Sequence, residues 1–176
     1  DENIVSEYPR EEAIVDGVNV GEDIFVIETK VGKSGAHLMK QLIEYRDRLS
    51  RAKRWKQMDE DINYVPSQLD RDIVNTSQIR TVIRTFKENL FTALFLRRKE
   101  VPKTLIFAKT DSHADDIVQI VRDEFGEGND FCRKITYSAD NPESALSSFR
   151  NNYNPRIAVT VDMIATGTDV KPIECL

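Results

Sequence analysis

Three sets of residues in this 176-residue chain combine side-chain type with a spacing suited to chemistry. The first is Thr166-Gly167-Thr168-Asp169, inside the run Val159 to Pro172. Gly167 can take a positive φ or let a phosphate approach the backbone, the threonines bring hydroxyls, and the Asp169 carboxylate can accept from a ribose hydroxyl. Taken alone, Gly-x-Asp is equally an ordinary strand-to-helix turn with Asp169 as its cap. The second set is Asp16 with Glu28-Thr29-Lys30, a pattern in which two carboxylates hold magnesium and a lysine helps activate water, as in metal-dependent nucleases. Against it, Val15 rather than proline precedes Asp16, and Gly17 and Gly21 favour a turn. Asp16 as a turn residue, with Glu28 and Lys30 on alternating exposed strand positions, is simpler. The third set is Asp111-x-His113-x-Asp115-Asp116, which can be drawn as a metal cluster. Its carboxylates sit at a helix start, where aspartate is favoured for capping and dipole reasons. His37 has no carboxylate or cysteine neighbour in its segment to support a base role.

The elements that must carry these residues follow from hydrophobic patterning. Ile157 to Val161 is short and β-branched, suiting a strand buried on both faces of a parallel sheet. Ligands in open α/β sheets gather at the carboxyl ends of such strands, which is where the Gly-x-Asp loop begins. Val101 to Lys109 predicts a second buried strand, followed by an amphipathic helix opened by Thr110-Asp111 and carried by Ile117, Ile120, Val121 and Phe125. A third strand is expected at Cys132 to Tyr137 and a helix near Glu143 to Phe149, before the Asn-Asn-Tyr-Asn-Pro turn. Strand, helix, strand, helix, strand is the rhythm of a parallel α/β sheet.

The amino-terminal half reads differently. Asp23 to Thr29 is strand-like and suggests β-hairpin character within residues 1–35. From Leu38, the spacing of Leu42, Tyr45, Leu49 and Ala52 predicts an amphipathic helix. It would present seven basic residues between Lys40 and Lys56, Arg51 and Arg54 among them, with Trp55 free to stack on a base. That face is either a solvated helix surface or a contact to a DNA backbone. Asp59 to Asp72, acidic and holding Pro66, reads as a mobile connection. A longer helix follows Asn75, with a stripe from Ile79 through Leu94 and cations at Arg97-Arg98-Lys99 that complement its dipole.

Composition excludes several classes. The net charge of −5 argues against a surface basic everywhere. No apolar run approaches the roughly 20 residues of a membrane helix, no signal peptide is evident, and only Cys132 and Cys175 are present, far apart and without metal-ligand spacing. A reduced, cytoplasmic setting is expected. Gly32-Lys33-Ser34 is no phosphate loop, because Ile27 stands where the first glycine of Gly-x-x-x-x-Gly-Lys-Ser/Thr belongs.

Taken together, Lys103 to Lys109, the lead-in Phe149 to Arg156 and the loop Val161 to Pro172 resemble the second RecA-like domain of a superfamily 2 helicase or translocase. Within that superfamily, Lys-Thr-Leu-Ile-Phe-Ala-Lys-Thr-Asp-Ser-His-Ala and Val-Asp-Met-Ile-Ala-Thr-Gly-Thr-Asp-Val are similar to the motor of type I restriction enzyme R subunits. Tyr8 to Val20 resembles the segment that follows the first motor domain in that family.

The resemblance implies that Lys103 to Lys109 is motif IV, bordering the DNA track through Lys109. Val161 to Asp169 would be motif V, with Thr160, Asp162 and Thr166 toward the DNA phosphates and Gly167 and Asp169 toward the nucleotide. Many relatives carry threonine where Val161 stands, which removes one hydroxyl contact. The expected organisation is a leading interdomain segment at 1–35, a helical region at 36–100 and a RecA-like parallel sheet with flanking helices at 101–176. That sheet would be incomplete, ending before the arginine-bearing motif VI and leaving an open edge with Ile173 and Leu176 exposed. The resemblance further implies ATP and Mg²⁺ in the intact subunit, none bound by this piece alone, and no ATPase activity of the piece alone. Implied partners are double-stranded DNA, the methyltransferase and specificity subunits, and the first RecA-like domain of the parent chain, with no membrane. A non-catalytic nucleic-acid or subunit-docking module is the alternative; a nuclease using Asp16, Glu28 and Lys30 is the third reading.

Overall fold

The computed structural model describes residues 7–28, the strand backbones at 36–38, 42–46, 53–57 and 62–64, and residues 76–161, 163–164, 168 and 170–176. In chain order the elements are helix α1 (Arg10–Val15), strands β1 (Ala36–Leu38), β2 (Leu42–Arg46), β3 (Lys53–Gln57) and β4 (Ile62–Tyr64), and helix α2 (Thr76–Asn89) continuing into a π-helical turn, Leu90–Leu94. Then come β5 (Thr104–Phe107), α3 (Asp111–Phe125), β6 (Cys132–Lys134), α4 (Pro142–Asn151) and β7 (Ile157–Thr160).

The β-branched run at 157–160 becomes the central strand of a three-stranded parallel sheet, in the order β5-β7-β6. All four of its residues are fully buried. Parallel neighbours need a crossover, and here α3 and α4 supply it. The chain passes from β5 through α3 to β6, two places away, and α4 then returns β7 to the gap. Register pairs Thr104 and Cys132 with opposite sides of Ile157, so all three strands start level.

Alternation along β7 divides the core. Ile157 and Val159 pack with Ile79 and Ile83 of α2 and with Ala114, Ile117 and Val121 of α3. Ala158 faces the other way, toward Leu105, Ile135, Ala145 and Phe149, and toward Ile164 and Val170 of the following loop. Helix α3 is closed at both ends. The Thr110 side chain accepts from His113 N–H at 3.1 Å, and Gly126 at φ 70° takes the left-handed conformation that ends the helix without a Cβ penalty. Helix α2 is tied to α3 by Glu124, whose carboxylate accepts from Arg80 at 2.7 Å and from Arg84 at 3.0 Å, while Lys87 reaches its backbone carbonyl at 2.6 Å.

Four expectations are corrected. Where a helix is expected from Leu38, the described residues are strands: β2 pairs antiparallel with β3, and β1 with β4. Helical structure in 36–100 is therefore confined, among the described residues, to α2 and its π turn. Ile43, Tyr45 and Trp55 are β-formers, and their preference outweighs the leucine spacing read as a helical stripe. Asp23 to Glu28 forms no strand but an exposed irregular run, because a strand exists only against a neighbour. The third strand ends at Lys134 rather than Tyr137. Finally, the outer side of β5 is not open where it begins. Cys175 bridges Thr104 in parallel, Leu105 N–H donates to Cys175 O at 2.9 Å, and Glu174 N–H donates to Lys103 O at 2.9 Å. Ile173 packs against the second core, while Leu176 is exposed as expected.

Candidate functional site at the strand carboxyl ends

Level strands place the residues after them side by side. β5 ends at the exposed Phe107 and is followed by the exposed Lys109, beyond β7 comes the loop from Val161, and beyond β6 the turn through Thr136 and Ser138. In the described part of this loop Ile164 and Val170 are buried in the second core, and Thr168 donates to Met163 O at 3.4 Å. Gly167, Asp169, Asp162 and Thr166 themselves lie outside the described residues, as do Lys30 and Arg51. Arg54 is on β3, described only as backbone.

Thr160, expected to reach DNA, is instead fully buried, its hydroxyl accepting from Ile164 N–H at 3.4 Å. This long hydrogen bond spans the turn that starts the loop. Lys109 is exposed, two residues past the end of β5.

The residues that sequence patterning did not single out form a network around Asp111. Its carboxylate accepts from Ser138, from Thr136 at 2.7 Å and from Lys134 at 3.0 Å, and Lys134 also reaches Asp115 at 2.7 Å. Burial alone would raise the Asp111 pKa, but the bonds from Ser138, Thr136 and Lys134, with the lysine charge, hold it at about 2. The carboxylate is thus an anion at the amino terminus of α3, tied across to the β6 turn. Local spacing carries no signal for it, since the partners lie 23 to 27 residues away. His113 is buried beside it with Nδ1 accepting from Lys109 N–H at 3.3 Å. That bond orients the ring toward the backbone of the strand end. Among the described residues no group of three or more His, Cys, Asp or Glu is placed to hold a metal ion.

At the opposite, amino-terminal edge of the sheet, Lys103 departs from its motif IV expectation. It is only 5% exposed, and its ammonium donates to Asn152 O at 2.7 Å and Pro155 O at 2.6 Å, 5.1 Å from the centre of the Phe149 ring. Burial, followed by the nearby Arg156 charge, lowers its pKa to about 8.

Of the nuclease constellation, only Asp16 and Glu28 are among the described residues. Asp16 caps α1 and accepts from the Tyr8 hydroxyl at 2.8 Å, and Glu28 is exposed on the irregular run. The two cysteines are free thiols, Cys132 buried with its pKa pushed up to about 12. No helix among the described residues is long and apolar enough to cross a membrane.

Comparison with known proteins adds one relation. No protein-family model matches the chain, and no solved structure matches it. The type I restriction enzyme EcoKI endonuclease subunit of Escherichia coli (strain K12) is 26% identical over 181 residues, an alignment covering 96% of this chain. The chain spans 15% of that subunit's length. It is therefore an α/β chain with a small open parallel sheet, distantly similar along nearly its whole length to part of a type I restriction endonuclease subunit.

Proposed function

We propose that this chain is a segment of the ATP-dependent, DNA-translocating restriction subunit of a type I restriction–modification enzyme, corresponding to its second RecA-like domain. The observation that carries the reading is the end-to-end alignment with the endonuclease subunit. Supporting it, the loop that resembles motif V leaves the carboxyl end of the central strand of a parallel sheet, where α/β proteins bind ligands.

On this reading the chain forms one wall of a nucleotide cleft and part of a duplex DNA track. Hydrolysis of ATP with Mg²⁺ would supply the free energy for movement in the intact subunit. The chain's own contribution is positional. Buried Ile164 and Val170 pin the loop, Gly167 allows close backbone approach, and Asp169 accepts from a nucleotide hydroxyl. Lys109 and Thr166 face the DNA backbone. The first RecA-like domain of the parent completes the cleft, and the methyltransferase and specificity subunits bring the complex to DNA.

The test is DNA binding by the full-length parent subunit as salt is varied. Lys109→Ala is expected to weaken duplex binding uniformly across sequences and to reduce the slope of log affinity against log salt by about one. A slope unchanged by Lys109→Ala, with DNA-independent association with the other subunits intact, would favour the docking-module alternative.

A further inference from the structure

The amino-terminal edge of the sheet gathers cations that the strand-end site does not use. Three stretches of chain meet there. Arg156 Nε donates to Val101 O at 2.6 Å, the Lys103 ammonium donates to Asn152 O and Pro155 O, and Arg98 pairs at 2.5 Å with Glu174, whose N–H donates to Lys103 O. In these stretches Arg97, Arg98, Lys99, Lys103 and Arg156 stand against Glu100 and Glu174, and Glu174 is already engaged by Arg98. Asp130, next to the Phe131 carbonyl that accepts from Arg156 N–H, is engaged by Arg133. Among the described residues no carboxylate pairs with Arg97, Lys99 or Arg156. The positive excess is local, because the chain as a whole carries −5.

Arg156 is the fixed member of this group. Its Nε is committed to Val101 O, and its guanidinium lies 4.8 Å from the centre of the Tyr153 ring. That holds a planar fork in place with its terminal nitrogens left for an acceptor from outside. Tyr153 is 60% exposed and stands between the exposed Asn152 and Asn154, so the turn offers a phenol and two amides beside the guanidinium. Beneath them, the Lys103 ammonium holds two carbonyls of the same turn. An arginine fork with neutral amide and phenol donors suits the phosphate oxygens of a nucleic-acid backbone. The four residues of β5 span roughly 13 Å. That exceeds the screening length of about 8 Å at physiological salt, so the group acts independently of Lys109.

We propose that the amino-terminal edge, through Arg97, Lys99, Arg156 and the turn at 152–154, is a second contact for the phosphate backbone of duplex DNA, separate from the one at Lys109. The choice of DNA over an acidic protein segment rests on the translocase reading; the cationic surface does not.

The experiment measures duplex affinity of the full-length parent subunit as salt is varied. It compares the unaltered protein, a double variant carrying Arg97→Gln and Lys99→Gln, Arg156→Lys, and Lys109→Ala. Each phosphate neutralised contributes about 0.9 to the slope of log affinity against log salt. The double variant is expected to reduce that slope by about two, and its combination with Lys109→Ala by about three. Arg156→Lys keeps the charge but not the fork, so it should weaken binding about tenfold with the slope unchanged. Unaltered affinity in Arg156→Lys overturns the assignment of the turn. A slope that the double variant leaves unchanged overturns the proposal: weakened assembly with the methyltransferase and specificity subunits then assigns the patch to an acidic protein partner, and intact assembly leaves it to solvent. Because Arg97 and Lys99 are exposed, the double variant decides the matter even if Arg156→Lys does not fold. A slope reduced by the double variant but not by Lys109→Ala upholds this contact and removes the one at the strand carboxyl ends. Absence of salt-dependent DNA binding by the unaltered subunit overturns the translocase reading, and this contact with it.

Discussion

Six residues apart, Lys103 and Lys109 have opposite fates because the first precedes a buried strand and the second follows it. Burying an ammonium has a consequence that solution measurements can read. The folded-state pKa of Lys103, about 8, lies below the ordinary lysine value of 10.5, so between these values the unfolded chain binds more protons. Stability then rises with pH across that window, and the full burial cost applies below about pH 8. Urea midpoints for the unaltered chain relative to Lys103→Met should therefore climb between pH of about 8 and 10.5; a flat difference would show that the amine is solvated. Asp111 has the opposite linkage. Its pKa, held at about 2 against an ordinary 3.8, adds stability that is complete above the unfolded value and is lost as pH falls through 2. Asp111→Ala also removes the acceptor shared by Lys134, Thr136 and Ser138, leaving Lys134 on Asp115 alone, at a cost of about 1–3 kcal/mol by chemical denaturation at pH 7.

The elements differ in how well they can be read from local sequence. Strands β5 and β7 are short apolar runs bounded by turn residues, and α3 combines a Thr cap, an apolar stripe and a terminal glycine, so local chemistry and tertiary packing agree. Residues 38–57 carry both a helical spacing of leucines and a strand-like density of β-formers, and partner strands decided between them. Asp23 to Glu28 shows the converse, a strand pattern without a neighbouring strand among the described residues. The Asp111 network is illegible for a related reason, since it joins residues brought together only by the β6 turn. Between α2 and α3, apolar contact and charge act together. Ile83→Ala should destabilise by roughly 2–5 kcal/mol in a denaturant titration, as for other buried isoleucines. Glu124, which its bonds from Arg84 and Arg80 hold at about 2 against an ordinary 4.5, adds stability above the unfolded value that is lost as pH falls toward 2. Glu124→Gln should speed hydrogen exchange of α2 amides, with a smaller effect in high salt; unaltered exchange would mean that apolar packing alone docks the helix.

For the whole molecule, the parallel order β5-β7-β6 matters because it sets Lys109, the β7 loop and the Asp111 network on one edge while Lys103 and the α4–β7 turn lie on the other. With a net charge of −5, the attraction to a polyanion must come from local groups on these edges or from other parts of the parent. The strand that the Gly167 and Asp169 loop follows was legible from its β-branched run, but the packing of Phe149, Ile164 and Val170 in one core cluster was not, because it depends on contacts across the sheet. The most direct measurement of the central claim is ATP hydrolysis by the full-length parent subunit, assembled with its partners, with and without duplex DNA. Turnover stimulated by DNA in the unaltered complex and reduced at least tenfold by Asp169→Ala, with the complex still assembled, is the predicted result. DNA-stimulated turnover unaffected by Asp169→Ala would contradict the placement of this chain in the wall of the nucleotide cleft.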